Sequence, residues 1–185
     1  MKRLLNCAIV IVAIASLAVA QDKAQDKAKK APASPPDQAS VTVNGKTITI
    51  KYSAPSVKGR QIFGDGGLIS NDPHYPVWRA GANSATALHT DADLDIAGLK
   101  VPAGDYTLFV SVKDPKSWEL IVSKDTKEWG LNYDESKDLG RVKMTMSAPA
   151  APVERLKYDL DQTGGKVKLT LSWEMRVASV MIGVK

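Results

Sequence analysis

Residues 39–185 predict an all-β fold: an antiparallel β-sandwich of jelly-roll-like or immunoglobulin-like type. Three observations carry the prediction. Apolar residues recur at every second position in segment after segment, an Asn44-Gly45 pair separates two such segments, and nothing after Gln38 keeps a helical period. A closed barrel shares this pattern, because it too buries one face of every strand.

Ahead of the domain, Lys2 and Arg3 precede an apolar run from Leu4 to Val19 that is interrupted by Asn6 and Ser16. Ala18-Val19-Ala20 then offers the small-x-small pattern that a signal peptidase needs, so residues 1–20 read as a signal peptide. The expected location is extracytoplasmic, periplasmic or secreted. The run is too short, and too closely followed by charge, to anchor the chain, and no later stretch is long enough to cross a bilayer. Cleavage would remove Cys7, the only cysteine, and with it any disulfide or thiolate chemistry. Leu4-Leu5-Asn6-Cys7 is a poor lipidation site, since the apolar run follows the cysteine instead of preceding it. The tetrad Ala-Gln-Asp-Lys occurs at 20–23 and again at 24–27, and residues 21–38 continue through Lys29-Lys30 to Pro35-Pro36. With almost nothing to bury, this stretch is expected to be a disordered spacer.

The strands follow in order. Val41 and Val43 share a face, Asn44-Gly45 supplies a type I′ turn, and Ile48, Ile50 and Tyr52 return on the same face, which puts Val41 opposite Ile48. Leu88 lies between Thr86 and Thr90; Leu94 and Ile96 alternate with Asp91, Asp93 and Asp95. Tyr106, Leu108, Val110 and Val112 make one row, and Trp118, Leu120 and Val122 the next. Val142, Met144 and Met146 form a further row, then Leu156, Tyr158 and Leu160, then Val167 to Trp173, and finally Val180, Ile182 and Val184. Pro102-Ala103-Gly104, Asp114-Pro115 and Gly164-Gly165 supply turns between them. Trp118 and Trp173, on apolar strand faces, are expected in the core.

Charge narrows the function. The formal net charge of +5 falls to +3 once Lys2 and Arg3 are removed, and Lys and Asp alternate without forming a basic stripe. Nucleic acid is not an expected partner. Asp91, Asp93 and Asp95 suggest a cation, but a calcium loop would need glycine where Ile96 stands and glutamate where Pro102 stands, so a solvated acidic face is expected and no metal. His74 and His89 are the only histidines; there is no His-x-x-x-His pair and no Gly-x-Ser-x-Gly elbow, so no catalytic set and no cofactor is assigned.

Between Tyr52 and Thr86 the alternation stops, for longer than a plain connection in a small domain needs. This segment holds Gly59-Arg60 with Ile62-Phe63-Gly64, and Trp78-Arg79-x-Gly81-Ala82-Asn83-x-x-Thr86. Together with Pro102-Ala103-Gly104-x-Tyr106, these blocks resemble the bacterial family known as domain of unknown function 2911, with Trp129-Gly130, Tyr133, Asp138 and Arg141 similar to its looser later motifs. The resemblance covers nearly all of the folded part. It implies an exported β-rich domain and supplies no activity.

Arg60, Trp78, Arg79 and Asn83 are the candidate ligand-binding residues. Two guanidinium forks beside an indole and an amide suit an acidic or sugar ligand. The alternative is that the arginines hold the loop itself, by pairing with Asp138, Glu174 or loop carbonyls. The expected function is therefore a non-catalytic module binding a small molecule, a glycan or an envelope protein. An extracytoplasmic hydrolase acting on a glycan or peptide, with His89 or a carboxylate such as Asp138 as base, and a purely structural envelope component are the alternatives.

Overall fold

The computed structural model describes residues 33–126 and 130–185. The expected signal peptide, the spacer as far as residue 32 and Trp129 lie outside the described residues. Two antiparallel sheets pack face to face, and they remain separate, so the fold is a sandwich and not a barrel. The first sheet runs β1 (Pro36–Val43), β2 (Lys46–Ser53), β4 (Thr86–Thr90), β7 (Gly104–Ser111), β8 (Glu119–Ser123) and β9 (Asp138–Lys143). A two-residue strand, β3 (Val77–Trp78), continues the line of β4 along β7. The second sheet runs β11 (Val153–Thr163), β12 (Lys166–Glu174), β13 (Arg176–Val184), β5 (Leu94–Ile96) and β6 (Leu99–Val101), and β10 (Thr145–Ser147) pairs with β13 beside β5.

The β1–β2 hairpin has the expected register, with Val41 opposite Ile48, and Asn44 and Gly45 both stand at positive φ, 51° and 75°. These are the values a type I′ turn requires, which is why an Asn-Gly pair occupies it. Strand β1 begins at Pro36, so Pro36, Asp37 and Gln38 are its first three residues and not the tail of a spacer. Proline is tolerated there because it opens an edge strand, and Asp37 accepts a hydrogen bond from the Tyr52 hydroxyl at 3.2 Å.

Period two becomes burial throughout. In β2 Ile48, Ile50 and Tyr52 point inward; in β12 Val167, Leu169, Leu171 and Trp173 do, each no more than 2% exposed. Both sheets contribute to one interlayer core. A smaller apolar cluster of Val77, Phe109 and Ile121 lies on the outer face of the first sheet, with Tyr133 packed against it.

One row differs from its sequence reading. Val142, Met144 and Met146 do not lie on a single strand: the chain leaves the first sheet after Lys143 and joins the second at Thr145. Met144 is the crossing point, its N–H donating to the Trp118 carbonyl at 2.8 Å. Side-chain alternation survives the crossing, so periodicity alone does not reveal it. Replacing Leu171 by Ala should reduce the unfolding free energy by about 2–5 kcal/mol, since its fully enclosed site cannot collapse. Lys168→Ala, on the outer face of the same strand, should stay within about 0.5 kcal/mol. Urea denaturation followed by tryptophan fluorescence measures both.

Candidate functional site

The segment between β2 and β4 is held from both sides. At its start, Val57 N–H donates to the Glu154 carbonyl at 2.8 Å and Leu156 N–H to the Pro55 carbonyl at 2.9 Å, tying it to β11. It then folds back on itself: Leu68 N–H reaches the Gln61 carbonyl at 2.9 Å, and Ile69 N–H the Ile62 carbonyl at 3.1 Å. Gly67 sits inside this reversal, where an added Cβ would lie 2.7 Å from the Ile62 oxygen, so only glycine fits.

The Trp78–Thr86 block is a knot around one carbonyl. Ala80 stands in the left-handed region at φ 53°, and its oxygen accepts the Thr86 hydroxyl at 3.0 Å and the Tyr158 hydroxyl at 2.9 Å. Burial raises the pKa of Tyr158, which keeps it a neutral donor. Trp78 Nε1 donates to the Gly81 carbonyl at 3.2 Å, and Ala82 N–H to that of Ser53 at 3.2 Å. The Pro102-Ala103-Gly104-x-Tyr106 block is likewise a local tie, with the Tyr106 hydroxyl donating to the Pro102 carbonyl at 3.0 Å.

Four aromatic rings meet beneath the segment. Trp78 stacks on Trp173 at 5.7 Å and 21°, and Phe63 contacts Trp78, Trp118 and Trp173 with centroids 6.2, 5.0 and 5.9 Å away. Trp78, only 3% exposed, is therefore a buried wall and presents no open ring face.

The candidate residues separate. Arg60 is exposed and holds its own turn, Nε donating to the Val57 carbonyl at 3.0 Å and a terminal nitrogen to that of Ser56 at 2.5 Å. Asn83, also exposed and at φ 59°, donates to the Ser34 carbonyl at 3.4 Å. Trp78 and Arg79, by contrast, line one cleft enclosing about 310 Å³. Its other walls are apolar, from Pro55, Leu68, Ile69 and Leu131, with Asn71 and Asp72 adding polar groups and Trp173 a second indole.

Among the described residues, Arg79 takes none of the partners expected of a loop clamp. Asp138 pairs instead with Arg141, whose Nε lies 3.0 Å from Asp138 Oδ2, while the Tyr133 hydroxyl donates to the same oxygen at 2.8 Å. Among the described residues, Arg79 Nε and Trp173 Nε1 are both enclosed donors with no acceptor. The sequence places Trp173 in the core but does not place it at the cleft. Its position as the last inward residue of β12, where the sandwich meets the loop, was the available signal.

The remaining motifs do not converge on the cleft. Asp91 accepts the Thr47 N–H, Asp93 that of Ala103, and Asp95 that of Gly98, so each acid serves a separate turn. No group of His, Cys, Asp and Glu among the described residues could hold a metal ion. No described helix is long and apolar enough to cross a membrane. His89 lines a different groove, with Nδ1 2.8 Å from Asp105 and Nε2 3.2 Å from Asp91. The two carboxylates, Asp105 foremost, raise its pKa above the usual 6.5.

Two outcomes follow from this geometry. By NMR titration, His89 should lose its proton above pH 6.5, and Asp105→Asn should bring the midpoint down. Protonated His89 then contributes stability that is fully present below 6.5 and lost as pH rises through its folded-state value. Gly130→Ala should cost about 1–3 kcal/mol in thermal melting, because its Cβ would collide with Arg79 Cδ and with the Asn83 carbonyl oxygen, which is backbone and cannot rotate away.

No curated protein and no solved structure matches the chain. The family described as "Protein of unknown function (DUF2911)" matches residues 34–182, from just ahead of β1 into β13, and so takes in both sheets and every wall of the cleft. The chain belongs to this family.

Proposed function

We propose that this protein is an exported, non-catalytic binding module of the bacterial envelope or secreted fraction, with its ligand site in the Arg79 cleft. The observation that carries this reading is that Arg79 and Trp173, whose Nε and Nε1 are enclosed donors without an acceptor, both line one cleft. An unpaired buried donor costs about 1–3 kcal/mol, and native proteins leave few of them. A ligand that brings an acceptor recovers that cost. Export is supported by the charged start, apolar run and Ala18-Val19-Ala20 of the first twenty residues. Binding without catalysis is supported by the cleft's inventory: neither His89 nor Asp138 lines it, and among the described residues Asp72 is its only acid.

A thermal-shift screen of small acids, sugars and short peptides tests the site. A binder should raise the melting temperature of the wild type, and Arg79→Gln should weaken that binder by about tenfold or more. Arg60→Gln should behave as wild type, since Arg60 serves only its own turn. Arg79→Gln itself should alter stability by less than about 1 kcal/mol, as no ion pair is lost. Binders that stabilise Arg79→Gln and wild type equally would place the ligand elsewhere.

A further inference from the structure

We infer that the cleft takes a small monocarboxylate carried on an apolar body. The inference rests on the binding reading above and names the class of ligand. Indole Nε1–H is a donor only, and the guanidinium is a permanent cation with no acceptor, so both unpaired groups ask for the same thing. An acceptor that also answers the arginine's charge is a carboxylate, because charge-assisted hydrogen bonds are about twice as strong as neutral ones.

The walls decide the rest. Asp72 lies in the same cleft, with Oδ1 accepting the His74 N–H at 3.1 Å. One fixed negative charge beside one positive charge opposes dianions such as phosphate or a dicarboxylate. Leu68 and Leu131, 41% and 36% exposed, are large apolar side chains left open to solvent at this cleft, and Pro55 and Ile69 extend their surface. A sugar finds no platform there, because Trp78 and Trp173 are 3% and 2% exposed and stack on each other. About 310 Å³ stands at the small end of ligand cavities, which suits a short branched or aryl acid better than a polymer.

The experiment uses 4-methylpentanoate and its neutral amide, titrated into the ¹⁵N-labelled protein and read on the indole N–H signals. Trp173→Phe assigns the Trp173 signal; if that variant does not fold, contacts to Trp78 in the wild type assign it instead. The acid should move the Trp173 signal saturably while the Trp78 signal, already bonded to the Gly81 carbonyl, moves far less. The amide should bind at least tenfold more weakly, and Arg79→Gln should weaken the acid at least tenfold with little effect on the amide. Equal affinity of acid and amide, or an acid indifferent to Arg79→Gln, overturns the carboxylate class and leaves the cleft as a binding site. The class also falls if only a sugar or a dianion from the screen moves the Trp173 signal. If no compound moves it, the binding reading itself is lost.

Discussion

Phe63, Trp78, Trp118 and Trp173 meet between the two sheets, and the position of the long segment between β2 and β4 depends on that meeting. Each ring comes from a different stretch: the loop, β3, the entry to β8 and the end of β12. Aromatic pairs contribute about 0.5–1.5 kcal/mol beyond the area they bury, and Phe63 makes three of them. A segment of this length with few regular backbone pairs would otherwise lose more in ordering entropy than it gains. The same packing fixes the Trp173 ring, and so fixes where its N–H is presented.

Polar accounting in the segment is otherwise nearly complete. The Ala80 carbonyl takes two hydroxyls, Gly81 takes an indole N–H, and Ser53 takes the Ala82 N–H. Against that background the unanswered donors of Arg79 and Trp173 are conspicuous. Proteins break their local rules mainly where function requires it, and of the three enclosed polar atoms without a partner among the described residues, two belong to residues lining one cavity, while Asp138 Oδ1 lies apart from it.

Legibility in the sequence followed the range of each interaction. The β1–β2 register could be read because a two-residue turn leaves one pairing that keeps Val41, Ile48 and Ile50 on one side. The core positions of β12 could be read for the same reason. The two-residue β3 escaped, since two residues carry no period, and so did β6, whereas β5, as short as β6, stood out by its alternation with Asp91, Asp93 and Asp95. Arg60 and Arg79 looked alike as charged residues in a glycine-rich loop, yet one bonds carbonyls three and four residues back and the other lines a cleft with β12.

By itself the sequence determined the all-β class, the hairpin register and which side chains turn inward, because these follow from period two and from turn chemistry within a few residues. Only the tertiary structure decided that Val142 and Met146 belong to different sheets, that Trp78 is walled in, and that Arg79 and Trp173 share a cavity. Those facts depend on contacts between residues far apart in the chain, from Leu120 with Val142 and Met146 with Ala178 to Trp78 with Trp173, and such contacts are set by how the strands pair and the two sheets close on each other. No local pattern of residues encodes that closure.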